Sequence, residues 1–182
     1  YRLAAGQGNA AAQFNLGVCY ANGTGVTRDE GEAVSGYRLA ADQGDADAQF
    51  NVGVCYAQGT VVTKDEGEAV RWYRLAAGQG NAAAQFNLGV RYAQGTGATK
   101  DEGEAVRWYR LAADQGLASA QSYLGVCYAN GTGVTKDERE AVRWYRLAAD
   151  QGDAHAQCNL GVFYANGTGV TKDDSEAVRW YR

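Results

Sequence analysis

The sequence predicts an all-α fold, a right-handed α/α superhelical solenoid of helix-turn-helix repeats, and two observations support this prediction. The first is an internal repeat that brings back the same residues every 36 positions along the 182-residue chain. The tyrosines that mark it are Tyr1, Tyr37, Tyr73, Tyr109, Tyr145 and Tyr181. The second is that apolar residues recur at helical spacing twice within each repeat. Because one pair of helices cannot bury its apolar side alone, repeats of this length stack on their neighbours.

The first helix of each repeat, which we call helix A, begins after a residue whose side chain can cap the free amides of the first turn. These residues are Asn9, Asp45, Asn81 and Asp153, and the fourth repeat has Leu117 instead. In the first copy, Ala12, Leu16 and Tyr20 fall on one stripe and predict the buried side. Gly17 lies beside that stripe. Because glycine disfavours a helix, its recurrence predicts a close approach between helices.

The second helix, helix B, is predicted from Thr63-Lys64-Asp65-Glu66, which matches a capping box with threonine as the N-cap. The same box stands at Thr27, Thr99 and Thr135. Helical spacing then predicts a buried side formed by Ala69, Tyr73, Ala76 and Ala77, with Val70 and Trp72 at its margins. Arg71 and Arg74 should point away from it, and Glu68 should pair with Arg71 on an exposed outer face.

We expect one continuous array over residues 1–182, because neither a proline nor a polar linker interrupts the repeats. Residues 1–8 are the tail of a truncated helix B, and residues 153–182 are an incomplete last repeat. The complete repeats are 9–44, 45–80, 81–116 and 117–152.

Charge and composition argue against several functions. A formal net charge of -4 and a pI near 5.0 do not provide the basic surface that nucleic acid or an anionic membrane requires. The "RWYR" segments mix base and aromatic, but we expect the two to point to different sides of the helix. No apolar run is long enough to span a membrane. The glycine-rich loop from Gly131 follows a helix rather than a strand, so it indicates a turn and not a phosphate-binding loop.

One set of residues resembles a known repeat family. In the first copy the set is Ala12, Leu16-Gly17, Tyr20, Gly23, Gly25-Val26, Asp29, Ala33, Tyr37, Ala40-Ala41 and Gly44. It resembles the Sel-one-like repeat, a relative of the tetratricopeptide repeat, and each copy carries most of it. The resemblance implies an α/α superhelix whose concave side is lined by helices A, and a role as an adaptor or scaffold.

The chain departs from this pattern at two places. Gly36 stands where the other repeats have Trp72, Trp108, Trp144 and Trp180. Val61 stands where the other loops have their second glycine. Because a β-branched residue resists positive φ, we expect Val61 to change the geometry of the second loop.

The copies differ from one another mainly on one arc of helix A, opposite the buried stripe. The residues on this arc are Ala11, Asp47, Ala83, Ser119 and His155; Phe14, Phe50, Phe86, Ser122 and Cys158; Asn15, Asn51, Asn87, Tyr123 and Asn159; and Cys19, Cys55, Arg91, Cys127 and Phe163. Because extended partners bind the concave surfaces of solenoids, this arc is the candidate site.

The predicted binding residues are Asn15, Asn51, Asn87, Tyr123, Asn159, Phe14, Phe50, Phe86, Arg91 and His155. An asparagine amide can donate to and accept from the backbone of an extended peptide. The phenylalanines could supply apolar pockets, and Arg91 could meet an acidic group. A second interpretation stays open, in which the asparagines and phenylalanines only pack against the next repeat.

The cysteines and the single histidine do not indicate chemistry. Cysteines at equivalent positions of stacked helices would be about 8 to 10 Å apart or more, beyond the reach of a disulfide. We expect free thiols, which favour the cytoplasm over a secretory compartment but do not identify a localisation. His155 and Cys158 lie one helical turn apart, but two ligands do not make a zinc site and no third group completes a catalytic set. We therefore expect no metal, no cofactor and no enzymatic activity.

The sequence favours a non-enzymatic scaffold that holds a partner protein, as an extended segment, in a groove lined by helices A. The alternative is a structural array whose copies associate head to tail. This alternative rests on the two ends of the sequence. Tyr1-Arg2 recurs as Tyr181-Arg182, so each end is expected to fall within a helix B, without a polar capping repeat to cover it.

Overall fold

The computed structural model describes all residues from 1 to 182, which form eleven α-helices and no strand. The helices are α1 (Arg2–Gly6), α2 (Ala10–Asn22), α3 (Glu30–Asp42), α4 (Ala46–Gln58), α5 (Glu66–Gly78), α6 (Ala82–Gln94), α7 (Glu102–Asp114), α8 (Ala118–Asn130), α9 (Glu138–Ala149), α10 (Ala154–Asn166) and α11 (Asp174–Tyr181). Helices A are α2, α4, α6, α8 and α10, and helices B are α1, α3, α5, α7, α9 and α11. The predicted all-α fold of repeated helical hairpins is confirmed.

The chain forms two compact units. The first comprises Tyr1–Arg91 with Gly95–Thr99, and the second comprises Tyr92–Gln94 with Lys100–Arg182. In the first unit, consecutive helices from α1 to α5 pack on one another, and in the second unit consecutive helices from α7 to α11 do the same. Each core is rich in alanine; the residues at its centre include Ala40, Ala48 and Trp72 in the first unit and Ala148, Ala156 and Leu160 in the second. That the repeats form one continuous array stays a prediction.

The predicted start of helix A is confirmed, and its buried side is confirmed at the alanine position, whereas the tyrosine position, Tyr20 and Tyr56, is only half-buried. The capping side chains of Asn9, Asp45, Asn81 and Asp153 each accept a hydrogen bond from the amide three residues later, and Leu117 provides none. In α4, the stripe residues Ala48 and Val52 are 0% and 1% exposed. The first repeat is less well covered, because its Leu16 is only half-buried.

The start of helix B differs from the prediction, and the capping box at the threonines is wrong. The N-cap of α5 is Asp65, whose Oδ1 accepts from the backbone N–H of Glu68 at 3.0 Å. The N–H of Asp65 donates to the carbonyl oxygen of Tyr56 at 3.0 Å. Aspartate caps better than threonine, and the second bond satisfies a carbonyl in the last turn of helix A. The caps of α3, α7, α9 and α11 are likewise Asp29, Asp101, Asp137 and Asp173.

Helix A and helix B of one repeat make the close contact that the helical glycine predicts. A Cβ atom added at Gly53 would lie 2.7 Å from Cδ1 of Tyr73 in helix B, so the tyrosine ring packs on bare backbone. The equivalent glycines with the same tyrosine contact are Gly17, Gly125 and Gly161. The buried side of helix B is also confirmed, since Ala69, Tyr73 and Ala76 are 0%, 1% and 0% exposed.

Val61 lies in the loop between α4 and α5, and the expected change of loop geometry is wrong. Its φ of 65° falls beside the 70° and 71° of Gly25 and Gly97, which hold the same position in other loops. It is the only residue other than glycine with a positive φ. The valine therefore takes the glycine conformation, which costs about 1 to 3 kcal/mol for such a residue, and its side chain remains 59% exposed.

We expect Val61→Gly to raise the free energy of unfolding by about 1 kcal/mol, because relief of backbone strain exceeds the greater chain entropy of an unfolded glycine. Urea unfolding measures the difference. The opposite change, Gly133→Val in the second unit, should destabilise the protein, because a Cβ atom there would overlap with the carbonyl oxygen of Glu102. A Val61→Gly variant no more stable than the natural chain would show that the loop carries no strain.

Candidate partner-binding face

The side chains of helices A that point away from the core form the candidate site, which we call the helix A face. In the first unit its residues, all half-buried, are Asn15, Val18, Asn51, Val54, Asn87 and Val90. In the second unit they are Tyr123, Val126, Asn159 and Val162. The valines were not predicted, because a comparison of the copies selects only positions that vary. The sequence could have identified them, because each valine lies off the buried stripe and follows an asparagine by three residues.

The three asparagines of the helix A face in the first unit share one geometry. Each donates from Nδ2 to the carbonyl oxygen one turn earlier in its own helix. The distances are 2.7 Å from Asn15 to Ala11, 2.8 Å from Asn51 to Asp47 and 2.9 Å from Asn87 to Ala83. This bond fixes the orientation of each amide and uses one of its two N–H donors. The other N–H and Oδ1 can still bond to a partner.

The phenylalanines beside these asparagines pack on helix B of the same repeat. The ring centroid of Phe14 lies 5.8 Å from that of Tyr37, and Phe50 lies 5.9 Å from Tyr73. Both phenylalanines are half-buried, so one side of each ring supports the repeat and only the remaining edge can meet a partner. Phe86 is half-buried in the same way in α6.

In the second unit, the aromatic side chain of helix A moves to other positions. In α8 a buried Ser122 replaces the phenylalanine, and the ring of Tyr123, which is 48% exposed, lies 5.5 Å from that of Tyr109. In α10 the aromatic residue is Phe163, whose ring lies 5.4 Å from that of Tyr145. His155 is exposed in the first turn of α10. The face therefore presents different side chains in different repeats.

Arg91 already has an acidic neighbour within the chain. Its Nη1 lies 2.8 Å from Oε2 of Glu66 at the start of α5, and the two side chains are 17% and 22% exposed. Neither Glu66 Oε2 nor Arg91 Nε has a hydrogen-bonding partner. The contact between the two side chains is therefore an ion pair, identified by its distance. Burial raises the pKa of the neighbouring Tyr73, and the charge of Arg91 opposes part of that rise. An acidic partner would have to compete with Glu66 for this arginine.

A buried glutamine in helix A, which sequence reasoning missed, links neighbouring repeats. Gln49 is 5% exposed, and its Nε2 donates to the carbonyl oxygen of Ala41 in α3 at 3.3 Å. Its Oε1 accepts from Nε2 of Gln79, which follows α5, at 2.8 Å. In the second unit, Gln121 makes the same two bonds, to Ala113 at 3.1 Å and from Gln151 at 2.7 Å. The glutamine thus donates a second hydrogen bond to a carbonyl that already accepts from the backbone N–H of Gly44 or Gly116, and it holds three consecutive helices together.

The four cysteines are free, as predicted. Cys55 and Cys127 are buried, each 8% exposed, whereas Cys158 is exposed. Burial raises the pKa of the Cys127 thiol to about 11. No group of three or more His, Cys, Asp or Glu side chains is arranged to hold a metal ion. None of the helices combines the length and the hydropathy that crossing a membrane demands.

The outer face of helix B carries the predicted ion pairs. Arg71 Nη1 lies 3.3 Å from Glu68 Oε2, and the same pair recurs at Arg107, Arg143 and Arg179. The arginines are exposed and their neighbours Trp72 and Tyr73 are buried, as expected, but the arginine side chain still reaches the tryptophan beside it. The guanidinium carbon of Arg107 lies 5.2 Å from the ring centroid of Trp108, because the long arginine side chain folds over its neighbour.

Comparisons with known proteins place these features in a family. The Sel1 repeat model matches residues 10–45, 46–81, 82–117, 118–153 and 154–182. The structure is similar to c5321, a protective antigen present in uropathogenic Escherichia coli strains displaying an SLR fold, with a TM-score of 0.94 and 40% identity over 98% of this chain. The chain spans 38% of the length of that protein. A comparison with curated proteins gives no match.

Two further solved structures are similar. A Sel1 repeat protein from Oxalobacter formigenes has a TM-score of 0.89 and 42% identity, with 96% of this chain and 72% of that chain covered. The Helicobacter pylori cysteine rich protein B has a TM-score of 0.52 and 21% identity, with 63% of this chain and 92% of that chain covered, a likeness in fold alone. These matches confirm the predicted resemblance and the α/α repeat solenoid as the fold class.

We expect Gln49→Met to lower the free energy of unfolding by about 1 to 3 kcal/mol. Methionine keeps the shape of glutamine but removes the side-chain donor to the Ala41 carbonyl and one of the two acceptors of Gln79 Nε2, the other being the carbonyl oxygen of Gly44 at 3.0 Å. Chemical denaturation measures the loss. The matched control is Gln94→Met at the exposed end of α6, which should leave stability unchanged within about 0.5 kcal/mol. Equal effects of the two substitutions would rule out a linking role for Gln49.

Thiol alkylation should separate the cysteines by burial. At about pH 8, only about one in a thousand Cys127 thiols is ionised, because its pKa is raised to about 11, and the thiolate is the reactive form. We expect iodoacetamide to modify Cys158 first and Cys127 last, as read by mass spectrometry of the digested protein. In concentrated guanidinium chloride the cysteines should react at similar rates. Early modification of Cys127 in the folded protein would show that its thiol is not buried.

Proposed function

We propose that this chain, which belongs to the Sel1 repeat family, binds an extended segment of a partner protein in a groove lined by helices A. Members of the family are known as protein-interaction scaffolds and are generally non-enzymatic. The binding residues would be Asn15, Asn51, Asn87, Tyr123, Asn159, Phe14, Phe50, Phe86, Arg91 and His155. We add the valines of the helix A face to this set.

The observation that supports this proposal most is the common orientation of the three asparagine amides in the first unit. Each amide is held by its own helix through Nδ2, so each presents Oδ1 in the same way from equivalent places in successive repeats. A row of acceptors with fixed direction suits the N–H groups of an extended backbone, which offers donors at regular intervals. Because the amides are fixed before binding, a partner would not have to order them.

The side chains around the asparagines determine which segment would fit. Val18, Val54 and Val90 follow Asn15, Asn51 and Asn87 by three residues, so each valine lies next to an asparagine on the helix surface. The valines and the uncovered edges of Phe14 and Phe50 would receive apolar side chains of the segment. Asparagine contacts to the backbone would be indifferent to sequence, whereas these apolar contacts would select for it.

A structural array remains a second candidate. Leu3 in α1 and Tyr181 in α11 are 87% and 52% exposed, and a second copy stacked head to tail would cover both. Such an association would use the terminal helices and leave the helix A face open, so the two functions are compatible.

The test uses a peptide selected by display against the natural chain and a triple variant, Asn15→Ala, Asn51→Ala and Asn87→Ala. We expect the triple variant to bind the peptide about tenfold more weakly or worse, since each lost hydrogen bond is worth about 0.5 to 1.5 kcal/mol. Its melting temperature should stay the same or rise, because alanine is the better helix former. Titration calorimetry and thermal unfolding give the two readouts.

The control changes three exposed side chains of helices B, Arg71→Gln, Arg107→Gln and Arg143→Gln, and should keep full affinity. Unchanged affinity in the asparagine variant, with unchanged melting, would place the peptide elsewhere. A lower melting temperature of the asparagine variant, in a chain that selects no peptide, would favour the packing interpretation.

A further inference from the structure

The first repeat lacks an arginine and a tryptophan that the other repeats have side by side. Ser35 and Gly36 stand at the positions of Arg71 and Trp72, and the later copies have Arg107-Trp108, Arg143-Trp144 and Arg179-Trp180. Trp72 is only 6% exposed and belongs to a core cluster with Tyr37, Ala41 and Val52. The indole therefore fills the space between its own helix, the preceding helix A and the helix B before that.

The equivalent space in the first repeat is a cavity of about 280 Å³. Its lining includes Ala5 of α1, Leu16 of α2, and Gly36 and Leu39 of α3. Ala5 and Leu16 correspond, one repeat earlier, to the Ala41 and Val52 that surround Trp72. Nothing on α3 replaces the indole, and Leu16, which lines the cavity, is half-buried while Val52 is 1% exposed.

The surrounding helices have moved together without closing the cavity. A Cβ atom added at Gly17 would lie 2.9 Å from the carbonyl oxygen of Ala33, whereas the equivalent distance from Gly53 to Ala69 is 3.3 Å. At this point the backbones of α2 and α3 are therefore closer than those of α4 and α5, whereas Cδ1 of Tyr37 lies 2.9 Å from a Cβ atom at Gly17 and Cδ1 of Tyr73 lies 2.7 Å from one at Gly53. The remaining volume is open to solvent on one side, since Leu39 in its lining is 54% exposed.

The rim of the cavity carries an acidic group whose partner is also missing. In the second repeat, Glu68 pairs with Arg71 at 3.3 Å, and the Arg71 guanidinium carbon lies 5.9 Å from the ring centroid of Trp72. Glu32, at the position of Glu68, lines the cavity and makes no salt bridge, because Ser35 replaces the arginine. Arg2 is also on the rim, but its Nη2 donates to the hydroxyl of Tyr20 at 3.2 Å, as Arg38 does to Tyr56.

We propose that this cavity binds a small molecule in which an indole-sized aromatic ring carries a cationic group, with the ring in the place of the missing indole and the cation at Glu32. The ring would gain the apolar contacts that Trp72 makes one repeat later, and the cation would supply the charge that Arg71 supplies to Glu68. The cavity is separate from the helix A face, so the proposal does not depend on the peptide-binding function.

The test titrates the isotope-labelled chain with tryptamine, with indole and with ethylamine, observed by amide NMR. We expect saturable shifts for tryptamine, centred on Leu16, Gly36 and Leu39. Indole should bind the same place about fivefold more weakly, because it lacks the cation that would pair with an exposed carboxylate. Ethylamine should give no saturable shifts. Glu32→Gln should reduce tryptamine to the affinity of indole and leave indole itself unchanged.

The matched control is the double variant Ser35→Arg and Gly36→Trp, which restores the residues of the other repeats and should abolish binding of both ligands. A Cβ atom at Gly36 would lie 2.8 Å from the carbonyl oxygen of Gln13, so α2 must move back for the tryptophan to enter. Circular dichroism checks that this variant folds. If it does not fold, the location of the amide chemical-shift changes in the natural chain is the only test of the proposal. Absence of saturable shifts, shifts away from the cavity, or equal binding by the folded double variant would overturn the proposal.

Discussion

The hydrogen bonds of a buried glutamine hold the helices A α2, α4 and α8 each between two helices B. Gln49 accepts from Gln79 of its own repeat and donates to Ala41 of the repeat before it, so one amide joins consecutive hairpins. Ala41 lies in the last turn of α3, where helical carbonyls lack intrahelical donors. The Ala41 carbonyl also accepts from the backbone N–H of Gly44, so the group that requires a partner is the buried amide of Gln49. Because a buried polar group without a partner is costly, the need to satisfy this amide fixes the register in which one hairpin meets the next. The orientation of everything that helix A presents to the outside follows from that register.

The close contact between glycine and tyrosine adds a second constraint, within the repeat. Since the ring of Tyr73 lies on the backbone at Gly53, neither residue can change without moving a helix. Positions inside the hairpin therefore repeat nearly the same residues in the same order, with alanine, glycine, tyrosine and glutamine beside larger apolar residues such as Val52 and Leu160. Outward positions on helix A vary more, and there the chain has placed Asp47, Tyr123 and His155 at sites where other copies have different residues. Two of these still make specific contacts: Asp47 Oδ1 accepts from Nδ2 of Asn81 at 2.8 Å, and the ring of Tyr123 packs on Tyr109.

Much of the fold could be predicted because its signals are local and repeated. The 36-residue period, the stripe of Ala48 and Val52 and the caps at Asp45 and Asn81 are readable without knowing what packs on them. The cap of helix B was misread, because two good capping residues, Thr63 and Asp65, stand two positions apart. The bond from Asp65 to the Tyr56 carbonyl, which favours aspartate, is visible only in three dimensions.

The candidate site was less predictable, for a related reason. Which way an asparagine amide turns depends on a hydrogen bond to its own helix, and whether Arg91 is available depends on Glu66, 25 positions earlier in the sequence. The first repeat shows that the effect of a missing side chain is equally hard to predict from the sequence. Gly36 alone predicts only a missing side chain, and a missing side chain can be absorbed by helix movement or can leave a cavity. Here both occur: α2 and α3 approach until Gly36 nears the backbone at Gln13, and the rest of the indole volume stays open because the glutamine bonds and the glycine contact prevent α2 from moving further.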